Sequence, residues 1–183
     1  MKKNPFVKSN YKRRKNDHYP TIDPRCVDAL LDSGLSFFNY VWDCCSINGS
    51  GILNRLIEHK RIVYQGKDAY DPNPFPKSRV EWIISNPPYK KGEVTNIIEF
   101  QVSRLNLNKL SGVAMLLRTG FDHAKTYQHL FRDCPHYAGQ IKLTFRPIWI
   151  KGKQKAEPIH NYVWHIWTLN ASTRELPFVI YSQ

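Results

Sequence analysis

The sequence lacks the features that would place a protein in a membrane or on the secretory route. No apolar run approaches the roughly 18 residues that a membrane-spanning helix needs. The basic beginning of the chain is not followed by the apolar segment of a secretory signal. We therefore expect a soluble, cytoplasmic protein with no membrane partner.

Cysteine and histidine patterns typical of metal sites are also missing. The four cysteines show no C-x-x-C pairing, and no H-E-x-x-H occurs among the seven histidines. The adjacent Cys44 and Cys45 are a poor start for a zinc site or a disulfide framework. We expect reduced thiols in the core of a cytosolic protein, and no metal.

Acidic residues are scarce: 15 Asp and Glu stand against 27 Lys and Arg, which gives a net charge of +12. The cations that precede the first acid, Asp17, are Lys2, Lys3, Lys8, Lys12, Arg13, Arg14 and Lys15. So large a charge on 183 residues favours a polyanionic partner, most simply nucleic acid. The alternatives are a solvated tail or a localisation signal in "KRRK", and charge alone does not separate DNA from RNA.

The chain is long enough for one domain with a substantial core but short for two. We expect residues 1–18 to form a flexible basic arm and residues 19–183 a single domain. After "YPT", Asp23 is the predicted cap of a helix that begins at Pro24 and ends at Gly34.

Strands alternate with helices along the rest of the sequence. The predicted strands are Phe38–Asp43, "RIVYQGKD", "RVEWIIS", "SGVAMLLRT", "GQIKLTFRPIWI" and "NYVWHIWTL", and the predicted helices are "ILNRLIEHK", Val94–Leu105 and "HAKTYQHLFRDC". This alternation predicts an α/β fold with a mainly parallel sheet. Ligands of such sheets bind at the carboxyl ends of strands, near the switch point of the strand order. Because "DCCSINGSG" and "SNPPY" both follow predicted strands, we expect both at the same cleft.

Two prolines stand between Asn86 and Tyr89, directly after an apolar strand. Proline fixes its own φ and lacks an N–H, so Pro87 and Pro88 predict a rigid turn that offers carbonyls but few donors. The side-chain oxygen of Asn86 and the carbonyl of Pro87 are suited to accept the two hydrogens of an exocyclic amino group such as N6 of adenine. Tyr89 offers a face on which a base can stack. An ordinary strand-terminating turn is the alternative interpretation.

The segment from Asp43 to Gly51 combines a strand end, an acid, a turn with glycines and a helix. Glycines let the backbone approach a ligand, and a carboxylate accepts hydrogen bonds from ribose or amino groups. The pattern is typical of a nucleotide-binding turn, although a tight strand–helix turn without a ligand has the same appearance.

The motif N-P-P-Y after an apolar strand resembles the catalytic motif of amino-group methyltransferases, especially the DNA adenine-N6 methyltransferases. "VWDCCSINGSG" is similar to their S-adenosylmethionine motif, and "YPT" to the segment that helps to hold the cofactor. "SGVAMLLRTGF" and "YVWHIW" are similar to strands of small phage-type members. The resemblance spans about residues 18–168; N-P-P-Y is specific for the broad class, and the other segments are supportive.

The resemblance implies a Rossmann-like methyltransferase fold, with a mixed, mostly parallel seven-stranded sheet and helices on both faces. It implies methyl transfer from S-adenosylmethionine to N6 of adenine in DNA, in a bacterial or phage-infected cell. The implied catalytic residues are Asn86, Pro87, Pro88 and Tyr89, and the implied cofactor residues are Pro20, Thr21, Asp43, Gly49, Gly51 and Asp68. No metal is implied.

The chain departs from the family pattern in the glycine turn. Counted from Asp43, only Gly49 falls on a glycine position, unless "GSG" follows a two-residue insertion. No obvious acid closes the second strand; the spacing of Asp68 fits the position that contacts the cofactor's adenine better than the ribose position. Asp71 is a weaker choice for the ribose. The interval between Gly51 and Asn86 is short, so one strand–helix unit is expected to be trimmed.

No room remains for a separate target-recognition domain, so the basic arm and loops are expected to contact DNA. The candidate contacts are Lys12, Arg13, Arg14, Lys15, Lys90, Lys91, Lys151 and Lys153. A duplex base must leave its stack to reach the proline turn, and Phe121, Trp149 or Arg118 are candidates to line its pocket. We expect a short or relaxed recognition sequence, and a monomer or homodimer.

Two other functions remain open at this point. Adenine in RNA or another exocyclic or amide nitrogen, including the glutamine amide of a protein, is a possible acceptor, although the charge favours a polyanion over a peptide. A nucleic-acid-binding protein that keeps the fold but has weak or lost turnover is the second alternative.

Overall fold

The computed structural model describes residues 18–35, 39–47, 50–66, 68–71, 80–90, 92–106, 110–150, 160–169 and 178–182. The helices are α1 (Arg25–Leu31), α2 (Gly51–Glu58) and α3 (Glu93–Asn106), with two 3₁₀ helices at Phe121–His123 and Lys125–Leu130. The strands are β1 (Tyr40–Asp43), β2 (Ile62–Gln65), β3 (Trp82–Ser85), β4 (Gly112–Arg118), β5 (Tyr137–Lys142), β6 (Tyr162–Thr168) and β7 (Phe178–Tyr181).

The seven strands form one sheet in the order β2-β1-β3-β4-β6-β5-β7. β6 is antiparallel to its neighbours β4 and β5, and the remaining pairs are parallel. The expected mixed, mostly parallel seven-stranded sheet is therefore confirmed. The chain passes from β1 outward to β2 and then returns to β3 on the other side of β1, which makes the junction of β1 and β3 a switch point.

Helices pack on both faces of the sheet, as the continuous apolar runs of β3 and β4 predict. One core combines α1 and α2 with alternate strand residues such as Val41, Ile84 and Leu116. The other core combines α3 and the segment after it with Trp42 and Ile83, the neighbours of those residues along β1 and β3. Both faces of the described strands are therefore covered, and their carboxyl ends are where a ligand is expected.

Several element predictions need correction. "HAKTYQHLFRDC" does not form one α-helix, because its helical part is 3₁₀ and ends at Leu130. Asp23 accepts the backbone N–H of Arg25 at 3.2 Å, while Pro24 occupies the cap position of α1. The strand patterns of the sequence located six of the seven strands and missed β7, which pairs with β5 at the edge of the sheet.

The predicted basic arm falls on residues that, apart from His18, lie outside the described part of the chain. The division into an arm and a single domain therefore stays a prediction. All four cysteines have free thiols, and Cys26, Cys44 and Cys45 are buried. No helix of the described ranges is long and apolar enough to cross a membrane.

Candidate functional site

The carboxyl ends of β1 and β3 are joined by a buried hydrogen-bond chain. The hydroxyl of Ser85 donates to Oδ1 of Asp43 at 2.5 Å, and the backbone N–H of Cys45 donates to Ser85 Oγ at 3.1 Å. Ser85 directly precedes Asn86, so this chain fixes the acid of the first turn beside the proline turn of the second. The structure thus brings together the two turns that the sequence assigned to one cleft.

A short segment before α1, the N-terminal strap (His18–Thr21), lies across both strand ends. The side-chain amide nitrogen of Asn86 donates to the Tyr19 carbonyl at 2.9 Å, and Nε2 of His18 lies 3.2 Å from the Asn86 carbonyl oxygen. The Thr21 carbonyl accepts the N–H of Gly51, the first residue of α2, at 2.7 Å. The strap therefore ties the glycine turn to the proline turn.

Asn86 is 4% exposed and its side-chain orientation is set by the strap. Because the amide nitrogen faces the Tyr19 carbonyl, Oδ1 faces the other way, toward the hydroxyl of Tyr89 at 2.9 Å. The same hydroxyl lies 2.6 Å from the carbonyl oxygen of Leu116. One hydroxyl hydrogen therefore serves two acceptors. The following residues, Pro87 and Pro88, are buried and bring no N–H.

The ring of Tyr89 is in contact with other groups on more than one side. The guanidinium of Arg118 lies over the ring at 5.1 Å, and Tyr162 meets it in an edge arrangement with 6.0 Å between centroids. Trp149 packs on Tyr162 at 4.8 Å. Arg118 and Trp149, two of the three residues predicted to line a pocket for the target base, thus lie near Tyr89.

Phe121, the third candidate for the base pocket, does not join this group. It stacks on Tyr127 at 4.8 Å and packs against the core on the α3 face of the sheet. Trp149 packs against the core on the α1 face, so the two aromatic side chains belong to opposite sides of the sheet.

Asp43 is an electrostatically unusual acid. It is 1% exposed, and burial raises its pKa to about 6, against the opposing effect of the hydrogen bond from Ser85 and of the nearby Cys45 N–H and the Ser46 and Ser50 hydroxyls. Its second oxygen, Oδ2, has no close hydrogen-bond partner among the described residues, and the same holds for the buried hydroxyl of Thr21. Buried polar atoms without partners are costly, so this part of the cleft favours a ligand that supplies donors.

Two openings adjoin these groups. A narrow cleft lies between the strap, Asp43 and Asn86. A cavity of about 220 Å³ lies beside it and is lined by Asp68, Tyr70, Pro88 and Glu93. His18 and Cys45 line both openings. The two openings therefore adjoin, and the residues assigned to a cofactor lie next to those assigned to catalysis.

The remaining predicted site residues fall in three places. Pro20 lines the narrow cleft with Thr21, and Gly51 lies under the strap. Lys90 is exposed and lies 3.8 Å from Glu93, which begins α3. Outside the described residues lie Gly49, Lys12, Arg13, Arg14, Lys15, Lys91, Lys151 and Lys153.

Sequence reasoning missed two residues of the site. His18 was assigned to the basic arm, and Ser85 was treated only as the last residue of a strand. Their positions in the sequence could have identified them, because Ser85 directly precedes the proline turn and His18 directly precedes "YPT".

Comparison with known proteins identifies the fold. No known protein family matches the sequence, and no curated protein matches it. A candidate class I S-adenosylmethionine-dependent methyltransferase from Listeria monocytogenes superposes with a TM-score of 0.57 and 11% identity, over 93% of this chain and 67% of that protein. A mutant DNMT2 from Spodoptera frugiperda aligns with a TM-score of 0.42 and 13% identity, over 90% of this chain and 53% of that protein. The first likeness shows that the chain has the Rossmann-like fold of class I methyltransferases.

Proposed function

We propose that this chain transfers a methyl group from S-adenosylmethionine to the N6 amino group of adenine in DNA. The methyltransferase fold supports the type of reaction. The oxygens around Asn86 support an amine as the acceptor, and the net charge of +12 supports a nucleic acid as its carrier.

The shortage of donors at the proline turn carries this proposal. Tyr89 Oη lies 2.9 Å from Asn86 Oδ1 and 2.6 Å from the Leu116 carbonyl oxygen, and its one hydroxyl hydrogen must serve both acceptors. Oxygens at such distances repel when no hydrogen lies between them. When the hydroxyl points at Leu116, Asn86 Oδ1 is left to accept. An exocyclic amino group brings two N–H donors and so relieves the shortage.

The same acceptors give a physical basis for catalysis. Positive charge develops on the amine as its lone pair attacks a methyl group, so N–H bonds to Asn86 Oδ1 and to the Pro87 carbonyl become stronger in the transition state. The two prolines hold the turn rigid, which keeps the acceptors in place without reorganisation. The transfer is direct and forms no covalent intermediate with the chain.

The residues of the cleft fit S-adenosylmethionine. The buried Asp43 carboxylate lacks a donor on Oδ2, and the ammonium group of the cofactor's methionine part would supply one. Asp68 and the apolar face of Pro88 line the adjoining cavity, where a carboxylate and a flat apolar wall suit an adenine ring. When bound, the cofactor supplies an electrophilic methyl group on a sulfonium.

Charge near the proline turn supports a nucleic acid substrate. Lys90 is exposed one residue after Tyr89, and the Arg118 guanidinium lies over the Tyr89 ring. Cations at these places can hold phosphates while a base, rotated out of its stack, enters beside Tyr89. Base stacking on such a ring contributes about 1–3 kcal/mol.

Incubation with labelled S-adenosylmethionine and unmethylated DNA, followed by nucleoside analysis, tests the proposal. We expect N6-methyladenine in DNA and little product in RNA of matched sequence. N4-methylcytosine as the main product, label in RNA alone, or binding without any product would each contradict it.

Asn86→Ala is the matching variant, because it removes Oδ1 and keeps the backbone turn. We expect methyl transfer to fall by about a hundredfold or more, since one of two preorganised acceptors is lost. DNA affinity should change little, and cofactor affinity should fall far less than the rate, although the variant also removes the hydrogen bond from Asn86 Nδ2 to the Tyr19 carbonyl. Asn54→Ala, an exposed asparagine on α2, is the control and should retain full activity.

A further inference from the structure

The side chain of His18, the first residue of the strap, contacts the proline turn. Its Nε2 lies 3.2 Å from the carbonyl oxygen of Asn86, and its ring lines both the narrow cleft and the larger cavity. The adjacent Tyr19 carbonyl accepts the Asn86 side-chain amide. Two neighbouring residues of the strap therefore hold the backbone and the side chain of the same asparagine.

The charge state of His18 suits a donor at Nε2. Burial lowers its pKa, which keeps the ring neutral near pH 7, while the hydrogen bond to Asn86 and the nearby Glu93 oppose that shift. A carbonyl oxygen only accepts, so the neutral ring must carry its proton on Nε2. Nδ1 is then left as an acceptor.

Holding the Asn86 carbonyl has a consequence for the next residue. The carbonyl direction sets ψ of Asn86, and the ring of Pro87 fixes its own φ. The peptide plane between the two residues is thereby fixed relative to the strap. The Asn86 carbonyl is directed at His18, and the Pro87 carbonyl is the backbone acceptor that we assign to a substrate amine.

We propose that His18 is a positioning residue for methyl transfer, which orients the Asn86 side chain and the Pro87 carbonyl toward the substrate amine by holding the Asn86 carbonyl through Nε2–H. This inference rests on the proposed function. His18 itself touches no reacting atom in this role. Its contribution is to the rate of transfer from the assembled complex rather than to cofactor binding.

Three substitutions at one position separate this role from a general structural one. In His18→Gln the amide nitrogen reaches about as far as Nε2 of the ring, in His18→Asn it reaches only as far as Nδ1, and His18→Phe keeps the ring without a donor. We expect His18→Gln to keep the single-turnover rate within about threefold, and the other two to lose about tenfold, as expected for one positioning hydrogen bond. His123→Phe, at an exposed histidine, is the control for adding a phenyl ring.

Cofactor affinity, measured by calorimetry, should fall less than the single-turnover rate in His18→Asn and His18→Phe, because the hydrogen bond that is lost goes to Asn86, although the His18 ring also lines the cleft. A loss confined to cofactor affinity with an unchanged single-turnover rate would overturn the proposal. So would a His18→Gln variant as slow as His18→Phe.

A second measurement does not depend on methyl transfer. The carbonyl carbon of Asn86 should change its ¹³C chemical shift in His18→Phe and His18→Asn, and keep it in His18→Gln, because only the last retains the N–H donor. If the shift is the same in the wild type and in His18→Phe, His18 does not hold this carbonyl and the inference is wrong. If the wild type transfers no methyl group but the shift follows this pattern, the proposed function fails while the contact stands.

Discussion

At the scale of single residues, the site is defined by polar atoms that are buried before any ligand is bound. Asp43 is 1% exposed, and Asn86 is 4% exposed. A buried acceptor without a donor costs roughly 1–3 kcal/mol of folding free energy. The ends of β1 and β3 therefore lower the stability of the unliganded protein. Such unfavourable local contacts are common at ligand-binding sites.

Asp43 provides a prediction about pH. Burial raises its pKa from 3.8 to about 6, so the folded state favours the protonated acid. The stability linked to this group is fully present below pH 3.8 and is lost as the pH rises through about 6, an effect on the order of 3 kcal/mol. Without cofactor, Asp43→Asn should therefore be more stable than the wild type at pH 8 and about equally stable at pH 4.

Urea unfolding at the two pH values measures this difference. S-adenosylmethionine should stabilise the wild type at pH 8 and stabilise Asp43→Asn much less, because the amide cannot pair with an ammonium group. If Asp43→Asn is less stable than the wild type at pH 8 without cofactor, the prediction is wrong. The ionised Asp43 carboxylate would then have more stabilising partners than the structure shows.

Tyr89 provides a second prediction, because its hydroxyl and its ring have separable roles. Tyr89→Phe removes the hydrogen bonds to Asn86 and Leu116 and should lower the free energy of unfolding by about 1 kcal/mol. Methyl transfer should persist in this variant, since the ring remains for the base and Asn86 Oδ1 is freed. Tyr89→Ala should lose most of the activity.

Chemical denaturation and steady-state kinetics on DNA check these two outcomes together. Equal loss of activity in Tyr89→Phe and Tyr89→Ala would mean that the hydroxyl, rather than the ring, is needed for transfer.

How much of the site the sequence could predict depends on the range of each contact. Asn86 and its prolines are recognisable because their chemistry is local: an amide followed by two residues without N–H groups. The contact of His18 with Asn86 spans 68 positions, and that of Ser85 with Asp43 spans 42. No local pattern encodes either, because both arise only when β1, β3 and the strap meet.

At the scale of elements, the start of α2 decides how closely the strap can approach. Gly51 donates to the Thr21 carbonyl at 2.7 Å, and a Cβ at Gly51 would lie 2.8 Å from that oxygen. Both partners are backbone, so neither can move without shifting its element. Glycine is therefore required here by close approach rather than by a positive φ.

Gly51→Ala should displace the strap and weaken cofactor binding by about tenfold or more, although alanine favours the helix itself by up to about 1 kcal/mol. Calorimetric titration with S-adenosylmethionine measures the affinity. Asn54→Ala on the exposed side of the same helix also gains helix propensity, by a smaller amount and without the clash, and should bind as the wild type does. Unchanged affinity in Gly51→Ala would show that the strap does not contribute to the cofactor site.

The element predictions fail where tertiary contacts override local preference. The segment that contains Tyr127 and Leu130 has helical spacing, but the Leu130 carbonyl accepts the Trp167 indole N–H at 2.6 Å. That carbonyl is consequently engaged by β6, and the chain turns instead of continuing as an α-helix. β7 pairs with β5 at Gly139, whose φ of +143° and lack of Cβ allow Phe178 to approach. A four-residue strand whose pairing depends on a glycine in a distant part of the chain is difficult to predict from its own sequence.

At the scale of the whole molecule, the strand order and the charge carry different information. Alternating strands and helices were enough to predict a mainly parallel sheet and two turns at one cleft, because parallel strands have their carboxyl ends at the same edge. The direction of β6 and the order of the last three strands could not be read from periodicity. Net charge contains no information about the fold, but it predicts electrostatic attraction between the protein and a polyanionic partner.

The charge yields the last prediction. DNA binding should weaken steeply with salt, and the slope of log affinity against log salt should be about −0.9 for each phosphate neutralised. If the arm contacts DNA, replacing Arg13 and Arg14 by glutamine should make the slope shallower by about 1.8 and weaken all DNA sequences alike.

Lys60 and Arg61 offer a matched control of equal charge. They follow the carboxyl end of α2 and precede β2, so they lie at the amino end of the sheet, away from the ends of β1 and β3. Glutamine at both positions lowers the net charge by the same two units, yet should leave the salt slope unchanged, because only cations that touch phosphate release counterions. Fluorescence anisotropy over a series of salt concentrations distinguishes the two double variants. Equal slopes for the two double variants would mean that the charge acts only as a general field. The arm would then make no specific phosphate contact and would not belong to the DNA interface.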